Sequence, residues 1–166
     1  DKDLTIKPRL FEDNKFLLQN EYRQKTSNSF TIADFSFLNG HDSNPQDKGD
    51  TRSHLFTNTL VDFSLEGFKK SMLQIKYQKA SNDNYLKLFD LQSPLLLGDN
   101  SVLESKIEFD LEHENYDLTT SFEMYETLSG SNSDRYQYVL PSYDFSKNFS
   151  LSNIDGSFNL NSYGDN

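Results

Sequence analysis

The sequence predicts an all-β protein of up-and-down antiparallel strands. Apolar residues recur at every second position in segment after segment, and no stretch keeps the i, i+3, i+4, i+7 spacing of an amphipathic helix. The 166 residues are 34% apolar and contain neither cysteine nor tryptophan, which suffices for one domain but not for a large core. We therefore expect residues 1–166 to form a single segment of about nine strands, without an internal domain boundary.

The predicted strands follow this alternation along the chain. The alternation is cleanest at residues 73–77, 105–111 and 116–124. The other strands are predicted at residues 4–11, 16–24, 30–38, 55–65, 135–145 and 154–163. Their usual length of about ten residues exceeds the ~5–6 residues of typical globular strands and approaches the ~9–11 that cross a bilayer at a tilt. Strand length therefore favours a segment of a large outer-membrane β-barrel.

The connections between these strands alternate in length. The connections at 25–29, 65–67 and 113–115 are short, and an up-and-down topology places them at one end of the sheet. Those at 40–53, 81–100 and 129–134 are long and share the opposite end, where only 12–14 is short. Outer-membrane barrels have short periplasmic turns and longer extracellular loops, so this pattern also favours a barrel.

Alternation also assigns side chains to two faces of the predicted barrel. One face is strongly charged and is expected to line a water-filled lumen, whereas the other is expected to meet lipid. The predicted lumen-facing residues are Lys70, Gln74, Lys76, Glu104, Lys106, Glu108, Asp110, Glu112, Asp117, Thr119 and Glu123. The predicted lipid-facing residues are Leu73, Ile75, Tyr77, Ile107, Phe109, Leu111, Leu118, Phe122 and Met124.

Two observations leave an alternative open. A charge run by itself is equally typical of the solvated face of a soluble sheet. In addition, Asn20 and Asp34 are predicted on the outward register, where a charge at mid-depth costs roughly 2–4 kcal/mol. A bulge or a register error in these strands would remove that conflict.

Charge and hydropathy exclude other classes of protein. The net charge of −10 and the pI near 4.6 oppose binding to phosphate backbones, so no nucleic-acid partner is expected. The mean hydropathy is −0.75, and apolar runs such as Leu95–Leu97 are far shorter than the ~20 residues of a spanning helix.

The run from Glu108 to Glu112 is the only pattern that suggests catalysis. Three acids on one strand face could supply the carboxylates of glycoside hydrolysis. The run resembles the acidic strand motif of laminarinase-type jelly-roll glycosidases, which implies Glu108 as nucleophile, Asp110 as its assistant and Glu112 as acid/base. The residues after Glu112 do not continue that motif, and tryptophan, the usual sugar platform, is absent. A secreted polysaccharide-binding or glycoside-hydrolysing jelly roll is therefore the alternative hypothesis.

No cofactor or metal is expected. His41, His54 and His113 are scattered without a partnered cysteine or an HExxH motif, and are interpreted as ordinary loop or strand-end residues. The acidic cluster at 42–50 departs from an EF-hand loop and is interpreted as a solvated connection.

Three segments carry a family resemblance. They are DLTIKPRLF at 3–11 followed by NEYR at 20–23, ASNDNYL at 80–86, and DRYQYVLPSY at 134–143. In this order they resemble the lipopolysaccharide-assembly outer-membrane protein family (LptD, also called OstA or Imp). The last segment is the most specific, whereas Lys7 departs from the threonine that the family usually has before Pro8.

This resemblance implies a non-enzymatic translocon in the outer membrane of a Gram-negative bacterium. Such a barrel receives lipopolysaccharide from a periplasmic bridge protein, holds a plug lipoprotein in its lumen, and releases its cargo sideways into the outer leaflet. About nine strands cannot close so wide a barrel alone, so the two edge strands are expected to need partner strands.

Overall fold

The computed structural model describes residues 1–11, 15–41, 50–96, 101–129, 134–150 and 157–166. Within these residues the chain forms nine strands and one short helix. In chain order they are β1 (Lys2–Leu10), β2 (Phe16–Lys25), β3 (Ser29–His41), β4 (Asp50–Asp62), β5 (Phe68–Ala80), α1 (Tyr85–Leu88), β6 (Val102–His113), β7 (Tyr116–Thr127), β8 (Tyr136–Ser150) and β9 (Ser157–Gly164).

The nine strands of the described residues form one sheet in the order β1 to β9. Every neighbouring pair is antiparallel, and each strand pairs with the strands before and after it in sequence. β1 and β9 are the two edges. The prediction of an all-β, up-and-down antiparallel fold is therefore confirmed.

Strand boundaries differ from the prediction mainly where apolar residues continue past a strand. β4 was expected at 55–65 but ends at Asp62, because Ser64 (φ +48°) and Gly67 (φ +86°) turn the chain out of the extended conformation. Phe63 lies in this turn, and its ring packs 6.1 Å from that of Phe109. Phe63 therefore packs against β6 from the turn and is not part of a paired strand. β8 continues to Ser150, five residues beyond its predicted end. Residues 151–156, which include the predicted start of β9 at 154, lie outside the described ranges.

The up-and-down topology divides the connections between the two ends of the sheet. One end, here called the short-connection end, carries 26–28, 63–67, 114–115 and 151–156. The other, the long-connection end, carries 11–15, 42–49, 81–101 and 128–135. The acidic cluster at 42–49 lies outside the described residues.

The strands are staggered relative to one another. One row of paired residues runs from Ile107 in β6 through Ile75, Thr59 and Thr31 to Gln24 in β2. Ile107 is six residues from the short-connection end of its strand, whereas Gln24 is one residue from that end. At the short-connection end, the strand ends thus shift by five residues over four strand spacings. The strands are therefore tilted by about 40° from the perpendicular to the line that joins these ends.

The main core lies where the connection after β5 folds over the sheet. Leu86, Leu91 and Leu95 of this connection pack with side chains of β2, β3 and β4, including Leu17, and all are buried. Burial of apolar side chains from a connection against one end of a sheet holds that connection in place. The core thus covers only part of one face.

Candidate functional site

The strand register places all eleven predicted lumen residues on the same face, here called the polar face. Strand pairing sets Gln74 opposite Glu108 and Lys106 opposite Glu123, and alternation extends this face along β5, β6 and β7. The described residues thus bring the charged set together as expected. That this face lines a lumen remains a prediction.

Lysines on the polar face pair with acids on neighbouring strands. Lys70 binds Asp110, and Lys76 binds Glu104 across β5 and β6. The ammonium of Lys106 lies 2.5 Å from a carboxylate oxygen of Glu108 on its own strand. Each such partly exposed pair stabilises the sheet by no more than ~1 kcal/mol, so their main effect is to partly balance the acids.

Neutralisation of this surface is incomplete. Among the predicted lumen residues, the three lysines face six carboxylates, so the polar face keeps an acidic excess around β6. Thr119 donates to Asp110 over 3.4 Å, and Gln74 donates to Asn58 over 3.0 Å. The surface is therefore a hydrogen-bonded, hydrophilic sheet of mixed charge.

The three acids of the alternative hypothesis do not form one cleft. Glu108 and Asp110 line a pocket of about 120 Å³ together with Lys70 and Gln74, whereas Glu112 does not. Ligand sites usually enclose about 300–1,000 Å³. Lys106 and Lys70 each bind one of the two pocket acids. This geometry favours structural ion pairs over a glycosidase site.

The opposite face, here called the apolar face, exposes large hydrophobic side chains. Ile107 is 50% exposed and Phe122 is 49% exposed although both lie in central strands. The register places all nine predicted lipid-facing residues on this face. Further exposed members on the same face were not part of that prediction: Leu4, Ile6, Phe35, Phe37, Leu55, Tyr136, Tyr138, Tyr143, Phe149 and Phe158. Alternation in β1, β3 and β8 was the signal that could have identified them.

Aromatic residues lie at both ends of the apolar face, and Phe35 and Phe122 lie nearer its middle. At the short-connection end, the ring of Tyr116 lies 4.8 Å from that of His113 and 6.0 Å from that of Phe68. At the long-connection end, Tyr136 and Tyr138 stack with ring centroids 6.3 Å apart. Aliphatic residues such as Ile75 and Ile107 lie between these two groups in β5 and β6.

Asp34 does not lie on the apolar face, and its predicted outward register is wrong. It pairs with Phe56 and hydrogen-bonds to His54, which places it on the polar face beneath the connection after β5. The assignment failed because both faces of β3 carry apolar residues near its long-connection end. Asn20, by contrast, lies on the apolar face as predicted, and it is nearly buried between β1 and β3.

A buried polar relay under α1 was not expected from the sequence. The hydroxyl of Ser36 lies 2.7 Å from that of Tyr85 and 2.6 Å from Nδ1 of His54. On the other side of the ring, Nε2 of His54 lies 3.2 Å from Oδ1 of Asp34. All four residues are buried. His54 is therefore a buried residue inside β4 rather than a loop or strand-end residue.

The same connection is fixed by side chains that bind its backbone carbonyls. Gln19 donates to the carbonyl of Gln92 over 2.9 Å, and Gln78 donates to that of Leu95 over 2.7 Å. Burial raises the pKa of the Tyr85 phenol, although Ser36 and the charge of Arg52 oppose that rise. The neutral hydroxyl is thus the form that fits the relay.

A cluster of charged residues around the buried Glu126 ties two long connections together on the apolar face. Glu126 is fully buried, with both carboxylate oxygens 2.8 Å from the ammonium of Lys79. Arg135 donates to the same carboxylate from Nε and Nη2, and Nη2 also lies 2.7 Å from Asp83. Asp83 and Glu126 both raise the pKa of Arg135, so its guanidinium stays charged.

Comparison of the sequence with models of known families finds no match, and comparison with curated proteins finds none either. Among the described residues, no helix is long and apolar enough to cross a membrane. These residues also contain no cluster of three or more histidine or acidic side chains suited to a metal ion.

Proposed function

We propose that this chain is a segment of an outer-membrane β-barrel that transports lipopolysaccharide without enzymatic chemistry. The observation that carries the proposal is the contrast between the two faces of a single sheet. Large apolar side chains are exposed along one face, and ion-paired charged residues lie on the other face across β5 to β7. Water-soluble monomers rarely expose a continuous apolar surface of this extent, whereas a barrel wall requires it.

The spacing of the aromatic residues fits a bilayer. Phe68 and Tyr77 mark the two ends of the apolar face on β5, nine residues apart. At ~3.3 Å per residue and a tilt of about 40°, they are separated by about 23 Å along the barrel axis. The apolar band of an outer-membrane barrel is about 25 Å tall and is flanked by aromatic residues.

The polar face suits the passage of a sugar-rich anionic cargo. Its acidic excess around Glu108 and Asp110 repels phosphate groups, and the paired lysines moderate that repulsion. We infer weak contact without tight binding along this face. The choice of lipopolysaccharide as cargo rests on the family resemblance, which also implies the bridge protein and the plug lipoprotein as partners.

The membrane part of the proposal is tested by solvent accessibility. Because the chain has no cysteine, single substitutions can be spin-labelled directly in phospholipid vesicles. Labels at Ile107→Cys and Phe122→Cys should collide mainly with oxygen, which concentrates in lipid. Labels at the matched positions Lys106→Cys and Thr119→Cys should collide mainly with a water-soluble nickel complex. Equal accessibility at both faces would contradict membrane insertion.

The cargo part needs a separate experiment. Glu108→Lys and Asp110→Lys together should increase photo-crosslinking of lipopolysaccharide to the polar face several-fold, because they replace repulsion by attraction. Lys70→Glu is the converse control and should decrease crosslinking. Unchanged crosslinking in both variants would remove lipopolysaccharide as the cargo while leaving the membrane assignment intact.

The jelly-roll alternative has no observation in its favour. A jelly roll requires Greek-key crossovers between two sheets. In the described part of the chain, the strand order β1 to β9 contains no crossover.

A further inference from the structure

An open pocket lies beside α1 at the long-connection end of the sheet. It measures about 530 Å³ and is lined by Arg52 of β4 and by Asn82, Asn84, Lys87 and Leu88 of the connection after β5. This volume falls within the range of small-molecule sites. Its lining is mostly polar and basic, in contrast to the acidic excess around β6.

Arg52 is the unusual member of this pocket. Arg52 is only 7% exposed, and its Nε atom is buried without a hydrogen-bond partner. No carboxylate among the described residues lies within 4 Å of its guanidinium. A buried cation without a counter-charge costs several kcal/mol, so a fold retains one only when something compensates it.

Among the described residues, the groups that surround Arg52 do not supply that compensation. The neighbouring residue on β3 is Leu38, and the nearby Tyr85 hydroxyl is already engaged with Ser36. The charge of Arg52 reaches Tyr85, since it lowers the pKa of that phenol against the effect of burial. The guanidinium therefore sits in a setting of reduced solvation, where attraction to an anion is strengthened.

The other lining residues indicate what kind of anion fits. Asn82 uses its side-chain oxygen to accept the backbone N–H of Asn84 over 3.0 Å, which leaves its amide NH₂ for another acceptor. Carboxamides of this kind bind hydroxyl groups as well as anionic oxygens. A guanidinium fork matches a phosphate or a carboxylate. The pocket is also much larger than an isolated inorganic anion requires.

We propose that Arg52, Asn82 and Asn84 form a binding site for a small polyhydroxylated anion, such as a sugar bearing a phosphate or a carboxylate group. Arg52 binds the anionic oxygens, Lys87 adds positive charge at the rim, and the carboxamides bind hydroxyls. The pocket and the buried arginine are the observations that support this site, and the inference does not depend on the transport function proposed above.

The test is a calorimetric titration of the folded chain in an amine-oxide detergent, which contains neither phosphate nor sugar. The probes are glucose 1-phosphate, glucuronate, glucose and inorganic phosphate. We expect glucose 1-phosphate or glucuronate to bind at least tenfold more tightly than glucose. Binding that is no tighter for either of them than for glucose would overturn the proposal. Inorganic phosphate binding as tightly as glucose 1-phosphate would overturn the role of the carboxamides.

Variants make the assignment specific. Arg52→Gln should reduce affinity for the tightest anion at least tenfold, and it should leave the fold intact because it removes an uncompensated charge. Lys87→Gln should reduce affinity about threefold, and it keeps the test valid if Arg52→Gln does not fold. Arg23→Gln is the matched control, since Arg23 is paired with Glu21 on the same face near the short-connection end. Unchanged affinity in Arg52→Gln, or an equal loss in Arg23→Gln, would contradict the site.

Discussion

Asp34 and His54 face each other on adjacent strands, with Oδ1 of Asp34 3.2 Å from Nε2 of His54 and both side chains fully buried. The hydrogen-bond directions follow from this contact. With Nε2 protonated and donating to Asp34, Nδ1 accepts from the hydroxyl of Ser36, which in turn accepts from Tyr85. Every member is satisfied, so the relay connects three elements, β3, β4 and α1, through one chain of hydrogen bonds.

The first prediction concerns the acid that ends this relay. Asp34→Ala leaves the N–H of His54 without an acceptor in a buried place, and it removes one acceptor of the Gln19 amide, which keeps the carbonyl of Gln92. We expect the free energy of unfolding to fall by about 1–3 kcal/mol, measured by urea titration with circular dichroism. Asp117→Ala is the control on the exposed part of the same face and should change stability by less than ~0.5 kcal/mol. Equal effects of the two substitutions would show that the relay does not stabilise the fold.

The second prediction uses the raised pKa of Tyr85. Since the folded state holds this pKa above the unfolded value of about 10, the hydroxyl contributes its stability fully below pH ~10 and loses it as pH rises towards the folded pKa. Tyr85→Phe should therefore be about 1 kcal/mol less stable than wild type at pH 8. The difference should shrink as the pH rises above about 10, the ordinary pKa of tyrosine, and reverse at higher pH. A difference that stays constant over this range would contradict a buried neutral phenol.

These two predictions concern the part of the fold that the alternation of apolar and polar residues in the sequence could not predict. Period-two patterning places Ile107 and Lys106 on opposite faces, because each strand of a half-buried sheet has one wet side. Near the long-connection end this contrast disappears, since Leu38 lies on the polar face and Phe37 on the apolar face. The cause is the connection after β5, which turns part of the polar face into a core. Tyr85 and Leu86 within a nominal loop were the available signal, but a loop residue has no periodicity that says which strand it covers.

The third prediction addresses the buried Glu126 cluster. Glu126→Gln replaces the buried carboxylate by a neutral amide, while the partly exposed Lys79 and Arg135 keep contact with water. Breaking a fully buried ion pair from one side typically costs about 3–5 kcal/mol, and because only one partner is buried here we expect about 2 kcal/mol in urea unfolding. Hydrogen exchange should also rise in 81–83 and 134–136, because the cluster joins these two connections. Glu123→Gln is the control, since Glu123 lies 3.6 Å from Lys106 on the more accessible polar face and should cost less than ~1 kcal/mol. If Glu126→Gln lowers stability without faster hydrogen exchange in 81–83 and 134–136, the cluster does not hold these two connections together.

The fourth prediction separates a lipid-facing sheet from a water-facing one. Ile107 is half exposed, so Ile107→Lys should cost little in a sheet surrounded by water. In a bilayer, the same lysine near the midplane costs about 2–4 kcal/mol. We therefore expect the folding free energy in phospholipid vesicles to fall by about 3 kcal/mol for Ile107→Lys.

Thr119→Lys is the matched control for this substitution. Thr119 lies on the polar face beside Asp110, where a lysine gains an acidic neighbour, so the folding free energy should change by less than ~1 kcal/mol. The decisive quantity is the difference in folding free energy between the two variants in vesicles. It is compared with the same difference in a short-chain detergent, whose micelles have a thin apolar core. Because both substitutions add one lysine to a central strand pair, propensity and net charge cancel in this comparison. If Ile107→Lys is tolerated as well as Thr119→Lys in vesicles, the apolar face does not meet lipid, and its exposed side chains require a protein partner instead.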